Sequence, residues 1–159
     1  MTEPENQRTR EPAYSFRNLD LWQQAQAFAR DVIAIVDDLP TRRSVDSIAR
    51  QLTRSATSIG ANIAEGHGRF GLPSYRNHLS IAKGSACETD SWLDLLRRLG
   101  LLSSEREAEL HGRCSSLIAA ITRRILNLEQ AGKRVREEHV GYVADEEAAE
   151  NDGSLVPRF

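Results

Sequence analysis

The chain predicts an all-α fold, an antiparallel up-down-up-down four-helix bundle, from three observations. Apolar residues recur at alternating spacings of three and four along four long segments. The breaks between those segments are short, which favours sequential antiparallel neighbours. No strand-like alternation occurs anywhere. Composition agrees: 40% hydrophobic but only 6% aromatic residues leave the packing to Ala, Leu and Ile, which suits helices. A length of 159 residues fits one core. The expected layout is a disordered tail at 1–15, the bundle at 16–132, and at 133–159 a basic turn followed by an acidic, largely disordered tail.

The first helix is expected from Leu19 to Leu39, because Trp22, Ala25, Ala29, Val32, Val36 and Leu39 form one seam and Phe28 and Ile35 widen it. Asn18 or Asp20 is its expected cap, Phe16 packs back onto the first turn, and Pro40 ends it. The second runs from Val45 to Glu65, capped by Ser44, with Ile48, Leu52, Ile59 and Ile63 facing the core and Gly66 as its stop. Gly66, Gly68 and Gly71 give the next linker its freedom. The third runs from Ser74 to Leu99, with Pro73 pre-setting its first turn or Ser74 capping it, and Gly100 closing it. It carries one strict seam at Tyr75, Leu79, Ala82, Ala86, Thr89, Leu93 and Leu96. A second seam at His78, Ile81, Ser85, Glu88, Trp92, Leu95 and Leu99 lies beside it, so this helix needs more than one neighbour. The fourth starts after Ser103 or Ser104, with Ser104-x-x-Glu107 as a capping box, and ends near Glu129 or Ala131. Its core face is Leu110, Cys114, Leu117, Ile121, Ile125 and Leu128. Gly132 then precedes a cationic stretch, Lys133-Arg-Val-Arg136.

Charge is unevenly placed. Residues 14–138 carry a net +3 and residues 139–159 a net −4, within a total of −2. Such a tail either solubilises or shields a basic surface. No apolar run is long enough to span a bilayer, and the polar start Met1-Thr-Glu-Pro-Glu-Asn lacks the apolar core of a signal peptide, so a cytoplasmic protein is expected. Cys87 and Cys114 are expected as two small buried thiols without a disulfide, and their spacing gives no zinc pattern. No cofactor and no metal are expected. Neither a glycine-rich phosphate loop nor a Gly-x-Ser-x-Gly motif is present.

The most distinctive stretch is Arg54-Ser-Ala-Thr-Ser-Ile-Gly-Ala-Asn-Ile-Ala-Glu-Gly66, small residues at helical spacing with two polar groups, Asn62 and Glu65. Small side chains let a neighbouring backbone come close, and Asn62 costs roughly 1–3 kcal/mol if buried unpaired. Together with Phe16-Arg-Asn-Leu19, Trp22-Gln23, Gln51-Leu52, Arg69 and Ile81-Ala-Lys-Gly-Ser-Ala-Cys-Glu88, it resembles the bacterial four-helix bundle proteins encoded in intervening sequences of 23S ribosomal RNA genes. Relatives of these serve as accessory factors of diversity-generating retroelements. The resemblance covers about two thirds of the chain and fades near Leu128. It implies a four-helix protomer, a homopentameric ring, and, in the retroelement branch, association with nucleic acid and a reverse transcriptase. It implies no settled activity.

Three groups of residues are candidates for function. Glu65, His67, Arg69 and His78 near the glycine-rich turn have acid–base chemistry available, but a carboxylate at a helix C-terminus opposes the macrodipole and calls for a partner, Arg69 or Arg54. A structural ion pair is therefore the expected role and no enzyme is expected. Asn62, Glu65, Gly66, Gly84, Ser85 and Glu88 form an expected polar junction within or between protomers, with Arg50 or Arg54 as the partner of Glu88 unless Glu88 stays exposed. Arg42, Arg43, Arg50, Arg54, Arg69, Arg123 and Arg124 are the candidate contacts to RNA or DNA, since guanidinium groups neutralise phosphates without reading bases. A protein-interaction module without nucleic acid is the alternative. Few aromatics are placed to stack bases. In every reading the chain partners itself, because a lone bundle has more apolar side chains than it can hide.

Overall fold

The computed structural model describes residues 15–69 and 71–152, with side chains to residue 136. Four helices follow a 3-10 turn at Phe16–Asn18: α1 Asp20–Asp37, α2 Arg43–Gly68, α3 Leu72–Arg98 and α4 Ser104–Asp152. No strand occurs among the described residues. Each helix packs on its sequence neighbour, and α1 closes more thinly onto α4. This is the antiparallel all-α bundle that the spacing predicts.

Local chemistry sets the ends, in places differently from expectation. Neither Asn18 nor Asp20 caps α1; Leu19 holds that position without a side-chain bond. The start is fixed instead by the ring of Phe16 meeting Trp22 edge-on at 5.1 Å and by Gln23 donating to the Arg17 carbonyl at 2.8 Å. At α2 the cap position is Arg42, also without a side-chain bond, so Ser44 lies inside the helix. Gly66 does not stop α2, which runs on to Gly68. The chain reverses at Gly71, φ +92°, the cap position that Ser74 was expected to take. Pro73 sits in the first turn of α3 as expected. At the other end, Gly100 (φ +68°) donates to Arg97 O and Leu101 donates to Leu96 O, both at 2.9 Å, a Schellman closure.

Ser103, not a Ser104–Glu107 box, caps α4: its Oγ accepts from Arg106 N at 3.2 Å. Glu107 turns instead toward Arg97, 3.8 Å away. The helix also passes its expected end and continues through Gly132 to Asp152. A helical Gly costs only about 1 kcal/mol, and Ala131, Lys133, Arg134 and Arg136 around it are good helix formers. The remaining parts of the expected tails, 1–14 and 153–159, lie outside the described residues.

The core is aliphatic, with Phe28 the only aromatic ring fully buried in it among the described residues. The strict seam of α3 is buried at all seven positions, and these are all of that helix's buried residues. Ile48 and Ile125 pack against the core but stay partly open. Cys114 is buried, its Sγ donating to Ala86 O at 3.2 Å, and burial pushes its thiol up to about 12. Cys87 corrects the expectation of two buried thiols: it follows Ala86 on the outer side of α3 and is exposed, and no disulfide joins the pair. The thin α1–α4 contact is fastened by Arg113, which pairs with Asp31 and lies over the Phe28 ring at 5.8 Å. The Arg113 hydrogen bond is the main cause that holds the Asp31 carboxyl below its usual range.

Candidate functional site

The α2–α3 junction gathers most of the polar candidates, and the hydroxyls of Ser55, Ser58, Thr89 and the expected junction residue Ser85 bind it together. Asn62 Nδ2 donates to Ser58 O at 2.8 Å and lies 3.0 Å from Ser58 Oγ. Ser85 Oγ crosses from α3 to Ser58 Oγ at 3.2 Å. One turn along, Thr89 Oγ1 lies 3.0 Å from Ser55 Oγ and 2.8 Å from Ser85 O, while Ser55 donates to Leu52 O. Thr89 is fully buried and Ser55 nearly so, and buried hydroxyls need such partners. The signal for this ladder was the recurrence of Ser and Thr at helical spacing on both seams. Asn62 therefore bonds within its own helix and does not cap the glycine turn.

At the C-terminal end of α2, Arg69 Nη2 donates to Glu65 Oε1 at 2.5 Å. His78 Nε2 lies 4.0 Å from the same oxygen. The Arg69 bond first, then the field of His78, lower the Glu65 carboxyl. The expected partner of Glu65 is thus Arg69 and not Arg54. His78 Nδ1 is buried and has no hydrogen-bond partner among the described residues. Gly66 explains how the helices come this close: a Cβ there would stand 2.7 Å from His78 Cβ and 2.9 Å from Tyr75 Cδ2. His67 meets Tyr75 edge-on at 6.2 Å.

The second seam of α3 is only partly covered. Ile81 is 46% and Leu99 53% exposed, and a Cβ on Gly84 would meet open space. Glu88 is exposed and accepts from Trp92 Nε1 at 3.3 Å; neither Arg50 nor Arg54 pairs with it, so the exposed alternative holds. Among the described residues no group of three or more His, Cys, Asp or Glu could hold a metal ion.

The arginine candidates fall in three places. Arg42, Arg43, Arg50 and Arg54 are exposed at the N-terminal half of α2, and positions 43, 50 and 54 lie within about 40° of each other around the helix. Arg123 and Arg124 sit near the other end of the bundle, where the Arg124 guanidinium lies over the Tyr75 ring at 5.6 Å. Arg69 is engaged with Glu65. The seven do not form one patch in a single protomer.

The model of the 23S rRNA-intervening sequence protein family matches residues 17–123. The chain belongs to this family. A solved structure agrees: a protein of unknown function from the S23 ribosomal protein family of Bacteroides thetaiotaomicron VPI-5482 is 27% identical, with a TM-score of 0.62 over 66% of this chain and 97% of that one. No curated protein matches the chain. The family span takes in the junction, the α2 arginines and Arg123. It excludes Arg124 and the rest of α4. No described helix is long and apolar enough to cross a membrane.

Proposed function

We propose that this chain is a non-enzymatic, homo-oligomeric scaffold or accessory protein that holds RNA or DNA on basic surfaces repeated around its assembly. A pentameric ring is proposed from the resemblance to known relatives, and a reverse transcriptase is the proposed partner should the gene lie in a retroelement. The observation that carries the reading is a division among the arginines. Arg69, Arg76, Arg97, Arg98, Arg106 and Arg113 each pair with a carboxylate. Arg42, Arg43, Arg50 and Arg54 lie within 4.0 Å of none among the described residues. Two of these four stand at the start of α2, where a cation opposes the helix dipole by about 0.3–1 kcal/mol. A phosphate arriving there gains from both the dipole and the guanidinium groups. Repetition around a ring multiplies a modest charge into a field that attracts a polyanion.

The partly uncovered second seam of α3, with Ile81, Gly84 and Leu99, supports self-association as the means of repetition. The acidic stretch late in the sequence, a net −4 over residues 139–159, favours the second reading, a protein-interaction module, because it repels phosphate. A mobility shift with generic RNA and DNA separates the two. A salt-sensitive shift removed by Arg50→Glu with Arg54→Glu supports the scaffold, and no shift at low salt supports the module. Light scattering that returns the mass of one copy would remove the ring.

A further inference from the structure

α4 outruns the family fold. Leu72, the first residue of α3, lines a groove of about 600 Å³ with α4 residues as far as Arg136. The helix continues to Asp152, about 24 Å further at 1.5 Å per residue. The α4 side of the groove and the helix after it lie beyond residue 123, where the family match ends.

The sequence of this extension is self-complementary. Residues 123–136 hold five Lys or Arg against one Glu, and residues 137–152 hold seven Asp or Glu and no Lys or Arg. An apolar line runs through both halves, since Ile121, Leu128, Val135, Tyr142 and Ala149 recur every seven residues. Ile121 and Leu128 are buried and Val135 is 62% exposed, so the line leaves the core at the groove. The groove is lined by apolar Leu72, Pro73, Leu128 and Val135 and by the cations Arg76, Lys133 and Arg136. The one acid in its lining, Glu129, faces Arg76 at 3.5 Å.

We infer that the α4 extension pairs antiparallel with the same extension of a second copy, the acidic end of each lying along the basic groove of the other. Setting Val135 opposite Tyr142 of the second copy also sets Leu128 opposite Ala149. Lys133 and Arg134 then fall within one turn of Asp145 across the seam, and Arg136 just beyond it. The apolar line and the charges are satisfied together in that register, as in a short antiparallel coiled coil. Parallel pairing would set base against base and acid against acid. The contact is two-fold and separate from any ring, which it would join to another.

The test is light scattering on the full chain at low salt. Lys133→Glu with Arg134→Glu and Arg136→Glu, or Asp145→Lys with Glu146→Lys and Glu147→Lys, should each halve the mass, and the two blocks combined should restore it. That two-to-one ratio is read whatever the number of subunits in a ring, so failure of the ring would leave it standing. An unchanged mass in every variant overturns the pairing. So does an unchanged mass accompanied by lost RNA retention in the first variant, which would give the groove to nucleic acid. Register is read in a Cys87→Ser background: Val135→Cys chains should cross-link to Tyr142→Cys chains and not to themselves. Cross-linking of Val135→Cys chains to one another overturns this register.

Discussion

Gly66→Ala measures how closely α2 and α3 must approach. In a helix interior the change from Gly to Ala gains about 1 kcal/mol, from lower backbone entropy in the unfolded chain. Against this, the new Cβ would stand 2.7 Å from His78 Cβ and 2.9 Å from Tyr75 Cδ2. The first of these is attached directly to the α3 backbone, and Tyr75 is 91% buried, so neither atom swings aside without moving the helix. Overpacking of this kind costs about 1–3 kcal/mol. With two contacts below 3.0 Å the upper part of that range applies, and the net expectation is a loss of about 1–2 kcal/mol. For a domain of this size that lowers Tm by roughly 2–8 °C. Gly112→Ala is the control, because a Cβ there meets nothing within 4 Å, and it should raise Tm. Both variants are followed by thermal unfolding at one protein concentration, since assembly makes Tm concentration-dependent. If Gly66→Ala were as stable as the parent, the close approach at this position would not be a constraint and the argument would fail.

Three further outcomes follow from the same geometry. Cys114 should resist thiol reagents while Cys87 reacts, so titration should count one thiol in native protein and two after unfolding. Because the folded protein holds the Cys114 proton up to about 12 against a reference of 9.0, that contribution to stability is complete below about pH 9 and declines as pH rises toward 12. His111 bonds Asp90 at 2.8 Å across α3 and α4, and this bond first, then the carboxylate's charge, raises its pKa. Its stabilising effect is full below the reference value of 6.5 and is lost as pH rises through the folded value; Asp90→Asn should return the His111 titration, followed by NMR, toward the reference. Gly84→Ala should stabilise an isolated protomer by up to about 1 kcal/mol yet weaken an assembly that uses that face of α3, so light scattering on dilution should show earlier dissociation; an unchanged mass would remove Gly84 from the junction.

What the sequence made legible was periodicity, and what it concealed depended on distance. The seven buried positions of α3 follow directly from spacings of three and four, because burial on a helix is a property of its face. Helix ends were harder. Ser44 and Ser104 are good capping residues, but α2 begins two residues before Val45, and Ser104 is already the first residue of α4, with Ser103 before it at the cap. Gly66 had the composition of a stop, yet it is kept small by a neighbouring helix and not by a left-handed turn; only the positions of Tyr75 and His78 reveal which. Cys87 and Cys114 both sit in apolar surroundings by sequence, and a rotation of one residue past Ala86 separates the exposed thiol from the buried one.

The arginines show the same limit more sharply, and there it bears on function. Asp94 and Arg98 stand four apart and are bonded at 2.6 Å; Asp46 and Arg50 have the same spacing and the same order, and they are not paired. Local spacing permits both outcomes. Asp46 lies in the first turn of α2, where the helix dipole already stabilises an anion, so it does not need Arg50. Asp94 lies near the C-terminal end of α3, where the dipole disfavours it and two arginines, Arg97 and Arg98, compensate. For these two pairs, position along the helix separates the arginine consumed in holding the fold from the one left facing outward, and Arg50 is left.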